Sequence, residues 1–173
     1  MAAQKPWWRE TIETVLWALV LAFILRTWVI QAFWIPSTSM VPTLEIGDRV
    51  IVVKFWYHLP KVEPKRGQIV VFKYPQDPRK DYVKRIIGLP GDTVEMKQGV
   101  VYVNGKEVFE NYVHNHDEYT MPLITVPKNN YFCLGDNRPN SQDGRFWGYV
   151  PQSYLRGPAV VRYWPLNRIG IPK

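Results

Sequence analysis

The sequence predicts a mainly β protein, a compact antiparallel barrel or sandwich-like body behind one N-terminal transmembrane helix. Three observations carry that class: an unbroken apolar run near the N-terminus, short Val-, Ile-, Tyr- and Phe-rich runs between turn signals after residue 45, and an Asn-Gly pair between two of those runs. Length agrees, because 173 residues at 46% apolar supply one well-buried domain and a small appendage but not two ordinary domains. The expected division is residues 1–34 for the N-terminus and anchor, and residues 35–173 for the β-rich body.

The apolar run, Val15 to Leu25, reads VLWALVLAFIL, and its character resumes at Trp28-Val29-Ile30 after Arg26 and Thr27. A bilayer core takes about 20 helical residues, and Ile12 to Gln31 reaches that length if Glu13 and Arg26 lie near opposite interfaces. Trp7, Trp8, Trp28 and Trp34 then fall at the two rims, where aromatic residues are favoured. A cleavable leader needs small residues at minus three and minus one; Ala32 has Ile30 two positions before it, so the segment is expected to stay attached. Lys5 and Arg9 precede the run and no basic residue follows Arg26 until Arg49, which places the N-terminus in the cytoplasm and the body outside. The location expected is therefore a single-pass protein of the cell membrane, with the lipid bilayer as a partner.

In the body the strands expected are Arg49 to Lys54, Ile69 to Tyr74, Tyr82 to Ile87, Thr93 to Met96, Val100 to Val103, Glu107 to Phe109, Tyr131 to Leu134 and Pro158 to Trp164. Asn104-Gly105 is a type I′ hairpin signal, since both residues tolerate positive φ, and Gln98-Gly99 is a weaker second turn. The stretch from Asn111 to Lys128 reads as a polar excursion. Closing or stacking the sheet removes most open edges.

Composition narrows the chemistry. The single cysteine, Cys133, excludes an internal disulfide and sits among Tyr131, Phe132 and Leu134 as a small core residue. A formal charge of +7 suits nucleic acid, an anionic membrane surface or plain solubility. Basic residues from Lys61 to Arg85 alternate with Phe72, Tyr74 and Tyr82, as on a single-strand-binding face, but Pro60, Pro64, Pro75 and Pro78 break the stretch into turns, so no nucleic acid is expected as a partner. His58, His114 and His116 have no distinctive context for a Ser/His/Asp triad. His114, His116 and Asp117 lack a familiar ligand spacing, so neither a metal nor a cofactor is expected.

Ser39 lies between Pro36 and Pro42, on a bend that cannot continue a helix, and reads either as a turn serine or as a nucleophile. A lysine can serve as its base only when neutral, which an unperturbed pKa near 10.4 allows for roughly one molecule in a few thousand at pH 7. Burial that lowers the pKa to about 8 costs on the order of 3 kcal/mol and makes roughly a tenth of the molecules competent. Lys84 has Val83 and Ile86-Ile87 beside it. Strand alternation puts Tyr82, Lys84 and Ile86 on one face and Val83, Arg85 and Ile87 on the other, without saying which face turns inward. Chemistry favours Lys84, because an arginine cannot be deprotonated.

Four blocks now stand in order behind the anchor: PSTSMVPTL (Pro36 to Leu44), RGQIVVFKYP (Arg66 to Pro75), DYVKRIIGLPGD (Asp81 to Asp92) and GDNRPNSQDGR (Gly135 to Arg145). In these the chain resembles the bacterial type I signal peptidases, the leader peptidases, over nearly its whole length. The resemblance implies a membrane-anchored Ser/Lys endopeptidase that cleaves signal peptides from secretory preproteins after small-x-small sites through an acyl-enzyme. It implies Ser39 as nucleophile, Lys84 as general base, and the Ser37 hydroxyl with the Ser39 N–H as oxyanion donors. Ser141 would orient the Lys84 amine, and Asp143, Arg145 and Arg85 would form one supporting ion-pair network. Phe33, Ile35, Met40, Leu44, Val71, Tyr82 and Val83 would line shallow pockets that exclude large side chains by their bulk. Gln68, Pro139 and Gly144 depart from the family's commoner wording, and the short chain implies the absence of the larger second β region and extra span of some relatives. Two rivals are a Ser/Lys self-cleaving regulator, which needs a DNA-binding domain where this chain has its apolar segment, and a non-catalytic anchored β module that binds nucleic acid or anionic lipid through its basic surface.

Overall fold

The computed structural model describes residues 6–54, 56–59 and 62–172, so Lys5, Pro60 and Lys61 lie outside the described residues, as does the side chain of His58. Helix α1 spans Trp7–Ile24 and continues as a π-helical turn over Leu25–Val29. The stretch Trp7–Val29 is long and apolar enough to cross a membrane, with a mean hydropathy of 1.8 over its best window and no buried residue there among the described ones. The helix is apolar without a break over residues 15–24, which are exposed on all sides among the described residues, and this fits an anchor in lipid.

The helix ends sooner than the apolar length, Ile12 to Gln31, predicts. Ile30–Trp34 forms strand β1, which pairs antiparallel with β2 (Arg49–Val53) from Ile30 opposite Val53 to Trp34 opposite Arg49. The apolar run therefore changes from helix to strand at residue 30, inside the segment expected to be anchor. Apolar content cannot distinguish the two, whereas β2 offers a partner edge only from Ile30 onward.

The remaining strands are β3 (Ile69–Tyr74), β4 (Asp77–Gly88), β5 (Thr93–Lys97), β6 (Val100–Val103), β7 (Lys106–Glu107), β8 (Met121–Thr125), β9 (Asn130–Leu134), β10 (Tyr149–Pro151) and β11 (Leu155–Trp164). They form a seven-stranded sheet in the order β1-β2-β11-β3-β4-β9-β10 and a four-stranded sheet in the order β7-β6-β5-β8. Every pairing is antiparallel, as the alternating runs and hairpin signals predict. At the β6–β7 turn Asn104 and Gly105 have φ of 53° and 73°, the positive values of a type I′ hairpin.

Two differences bear on the site. Strand β4 begins at Asp77 rather than Tyr82 and runs through Pro78, which falls in the register irregularity between Lys73 opposite Asp81 and Tyr74 opposite Asp77. Strand β9 joins β4 only from Arg85, so a residue without an N–H is tolerated on that open stretch. The polar excursion contains β8, found by β5 through Val94 opposite Ile124 although its own sequence, MPLIT, carries a proline.

Three apolar clusters make the core. The largest joins the small sheet (Val94, Met96, Val101, Val103) to Ile87, Phe132 and Leu134 of the large one. A second packs Val70, Phe72, Ile86, Cys133 and Val150, and a third packs Ile35, Met40, Leu44, Val50 and Ile69 beneath the bend that carries Ser39. Burying such aliphatic side chains contributes about 1.5–3 kcal/mol each, enough to hold the bend rigidly against β2, β3 and β11.

Candidate active site

The bend after β1 is fixed at both ends. Ile35 N–H donates to Asp48 O at 2.9 Å and Leu44 N–H to Met40 O at 2.8 Å, while Ile35, Met40 and Leu44 point into the core. Its middle is held from across the molecule: Asn137 donates its backbone N–H to Ser39 O and its side-chain amide to Thr38 O, both at 3.1 Å. Ser39 is thereby presented with its hydroxyl toward β4.

There Lys84 Nζ lies 2.6 Å from Ser39 Oγ. Both residues are buried, at 7% exposed for Ser39 and 3% for Lys84. Burial pulls the Lys84 ammonium from its ordinary 10.5 down to about 8, against the charges of Asp143 and Asp136, which favour the protonated form. Lys84 makes no ion pair among the described residues, and its nearest aromatic neighbour is Tyr82, with Nζ 5.7 Å from the ring centroid. Ser37 Oγ stands 3.3 Å from Ser39 Oγ, on the exposed side of the bend.

A cleft of about 400 Å³ opens over this pair, lined by Phe33 to Ser37, Ser39, Met40, Val71, Asp81 to Lys84, Asn140 and Gln142. Six of the seven expected pocket residues are in that wall. Leu44 is not: fully buried beneath the bend, it is a core residue that holds the wall from behind. Trp34, Pro36, Asp81, Asn140 and Gln142 went unpredicted, although each stands within two residues of a predicted site residue.

The supporting network differs more. Arg85 does not join Asp143; it forms a two-point pair with Asp136, with Nε to Oδ1 at 2.9 Å and Nη2 to Oδ2 at 2.7 Å. It also donates to Gly67 O at 2.8 Å, and Thr43 Oγ1 closes the group on Asp136 Oδ2 at 2.5 Å. Asp143 instead holds Arg145, through Nε at 2.8 Å and Nη2 at 3.0 Å, and takes the Gly135 N–H on Oδ2 at 3.0 Å. The reason for two separate networks is strand alternation, which sends Arg85 to the face opposite Lys84. Asp136 is the residue sequence reasoning missed; its signal was an acid in the GDNR block with no role assigned to it.

Ser141 is buried, and its Oγ has no hydrogen-bond partner among the described residues, so the expected bond to the Lys84 amine is not made. The hydroxyl packs beside Gly135: a Cβ built there would lie 2.1 Å from Ser141 Oγ and 2.5 Å from Ser39 O. Only glycine leaves room there. Cys133 is buried as expected, and burial pushes its thiol up, away from thiolate chemistry. No metal-holding group of His, Cys, Asp or Glu occurs among the described residues.

Comparison with known proteins bears on this geometry directly. The model of the family "Signal peptidase, peptidase S26" matches residues 8–164, which include the bend, β4 and the GDNR loop. The chain belongs to the signal peptidase family. It is 48% identical over 170 residues to "Probable signal peptidase I-2" of Synechocystis, covering 95% of this chain and 77% of that one. It is 46% identical to "Signal peptidase I" of Leptolyngbya laminosa, covering 93% and 82%. Among solved structures, a signal peptidase I from Enterococcus faecalis is 35% identical with a TM-score of 0.50, covering 56% of this chain and 96% of that one. As a member of this family the protein is a serine endopeptidase that cleaves signal peptides.

Proposed function

We propose that Ser39 is the nucleophile and Lys84 the general base of this signal peptidase. The observation that carries the reading is one buried contact, Nζ to Oγ at 2.6 Å, made by an amine that burial brings to about 8. Roughly a tenth of the molecules then hold a neutral amine at pH 7. That amine takes the Ser39 proton as Oγ attacks the scissile carbonyl carbon, and returns it to the leaving amine of the mature protein as the C–N bond breaks. The resulting ester is hydrolysed by water, activated in turn by Lys84. Ser37 Oγ and the Ser39 N–H serve the oxyanion; fixed donors of this kind contribute about 3–4 kcal/mol in a site closed to water.

Ser141 supports the amine in this reading at a later moment than the resting state. Once Oγ is bound up in the acyl ester, Nζ loses its partner, and the orphaned buried hydroxyl of Ser141 is available to accept from it. The substrate lies extended in the cleft, beside the end of β1 on one side and Asp81 to Val83 of β4 on the other, where β9 leaves the strand edge open. Walls of Phe33, Ile35, Met40, Val71, Tyr82 and Val83 leave room for small side chains only. The preproteins that carry such segments reach the cleft at a bilayer, with α1 as anchor, the N-terminus in the cytoplasm and the β body, β1 included, outside.

The test is incubation of the full chain in detergent with a secretory preprotein, followed by mass determination of the new N-terminus. A cut after small-x-small that disappears in Ser39→Ala is the expected result. Cleavage by Ser39→Ala would remove the assigned nucleophile.

A further inference from the structure

The excursion between β7 and β8 has no strand pairing over residues 110–119, yet its side chains are spent in one direction. Glu110 Oε1 accepts from Arg138 Nη2 at 2.7 Å, a pair in which Arg138 is 1% and Glu110 6% exposed. Asn115 donates to Asn137 Oδ1 at 3.3 Å. Asp117 Oδ2 accepts from Arg145 Nη1 at 2.5 Å, and the Tyr119 ring lies 5.3 Å from the same guanidinium. Tyr112 covers Arg85, with the ring centroid 3.8 Å away, and gives its own hydroxyl proton to Glu110 at 2.7 Å.

Three of those recipients, Asn137, Arg138 and Arg145, hold the loop behind the nucleophile. Asn137 fixes the carbonyls of Thr38 and Ser39. Arg138 Nε donates to Gly135 O at 3.0 Å, and Arg145 Nη2 donates to Arg138 O at 2.6 Å while its Nε and Nη2 grip Asp143. None of the cleft-lining residues comes from the excursion. A surface loop kept only for connection would leave its acids in water, because ordering long side chains costs entropy that an exposed pair hardly returns.

We propose that residues 110–119 are a positioning strap, which acts through Asn137, Arg138 and Arg145 to hold the nucleophile's bend against Lys84. The proposal rests on the Ser39/Lys84 reading. Its physical content is geometric: the proton transfer works across 2.6 Å, and displacement of about 1 Å costs on the order of a hundredfold in rate. The strap's acids set that distance from the far side of the loop, through residues that touch no substrate. Loss of one acid is expected to lower kcat and leave KM unchanged, since the cleft wall stays intact.

Kinetics of preprotein cleavage by the full chain in detergent test this with Asp117→Asn, Asp117→Glu and Glu110→Gln, beside Ser39→Ala and the exposed strap control His114→Ala. Expected are about tenfold lower kcat for Asp117→Asn and Glu110→Gln at unchanged KM, partial return of kcat in Asp117→Glu, and no change in His114→Ala. In an Arg145→Gln background Asp117→Asn should cost little more, because the two act as a unit. Thermal unfolding of each variant gives the folded fraction to which kcat is referred. A strap that merely stabilises the fold would lower the melting temperature with kcat per folded molecule unchanged, and that result overturns the proposal; so does a rise in KM with kcat intact. Activity in Ser39→Ala would instead strike the underlying assignment of the nucleophile, which keeps the two failures apart.

Discussion

Lys84 and Arg85 are neighbours on β4, equally buried at 3% exposed, and the two faces of the strand treat them in opposite ways. Arg85 meets Asp136 at two points, a carbonyl at Gly67 and a ring at Tyr112. Lys84 meets a hydroxyl and apolar walls, with Asp143 and Asp136 acting on it only at a distance. Burial with a matched anion keeps a charge; burial without one pushes the proton off. A strand that alternates faces every residue can therefore place a permanent cation and a usable base side by side, and only the second needs to lose its partner.

The most direct way to break the comparison is to make position 84 as permanent a cation as position 85. Lys84→Arg and Lys84→Met both remove the neutral amine, one by holding its proton and one by having none, and each should cut preprotein cleavage by about 10⁴-fold or more. Turnover by Lys84→Arg within tenfold of the parent would mean that deprotonation at this position is irrelevant. On the other face the loss should be one of stability. Asp136→Ala strands the Arg85 guanidinium and releases Thr43 Oγ1, and about 3–5 kcal/mol of unfolding free energy is expected to go, read as a shift in a denaturant midpoint. A change below about 1 kcal/mol would show that the Arg85 face is held by the Gly67 and Tyr112 contacts instead.

How far these two faces were legible in the sequence follows from the same alternation. The period of β4 established that Lys84 and Arg85 part company, and Cys133 and the hairpin at Asn104-Gly105 were readable from local residue chemistry. The family's blocks brought Ser39 and Lys84 together, as local pattern alone did not, because the 45 positions between them are bridged only by the fold. Asp136 as partner of Arg85 was hidden for the same reason: a carboxylate 51 residues away is chosen by sheet order, β9 beside β4, and no local rule encodes that order. Leu44 misled because a bulky apolar residue near a nucleophile looks alike whether it faces the cleft or the core. Strand β1 was hidden by its apolar composition, and β8 by its proline.

A finer probe of the contrast is pH. Because the Lys84 amine titrates near 8 in the folded protein, kcat/KM should rise about tenfold per unit below pH 7 and level off above about 8. Stability should respond in the matching sense. The folded pKa lies below the ordinary 10.5, so between about 8 and 10.5 the unfolded chain binds the proton that the folded chain has released, and stability from this group rises with pH across that window. Below about 8 both states carry the charge and the folded state bears its full burial cost, on the order of 3 kcal/mol. Lys84→Met abolishes that cost, so the dead variant should melt no lower than the parent at pH 7 and lose its advantage as pH climbs past 8. A profile that keeps climbing tenfold per unit through pH 9 would place the amine among solvated lysines, one flat from pH 6 to 9 would remove it as the base, and a parent more stable than Lys84→Met at pH 7 would mean that position 84 is paired after all, like its neighbour.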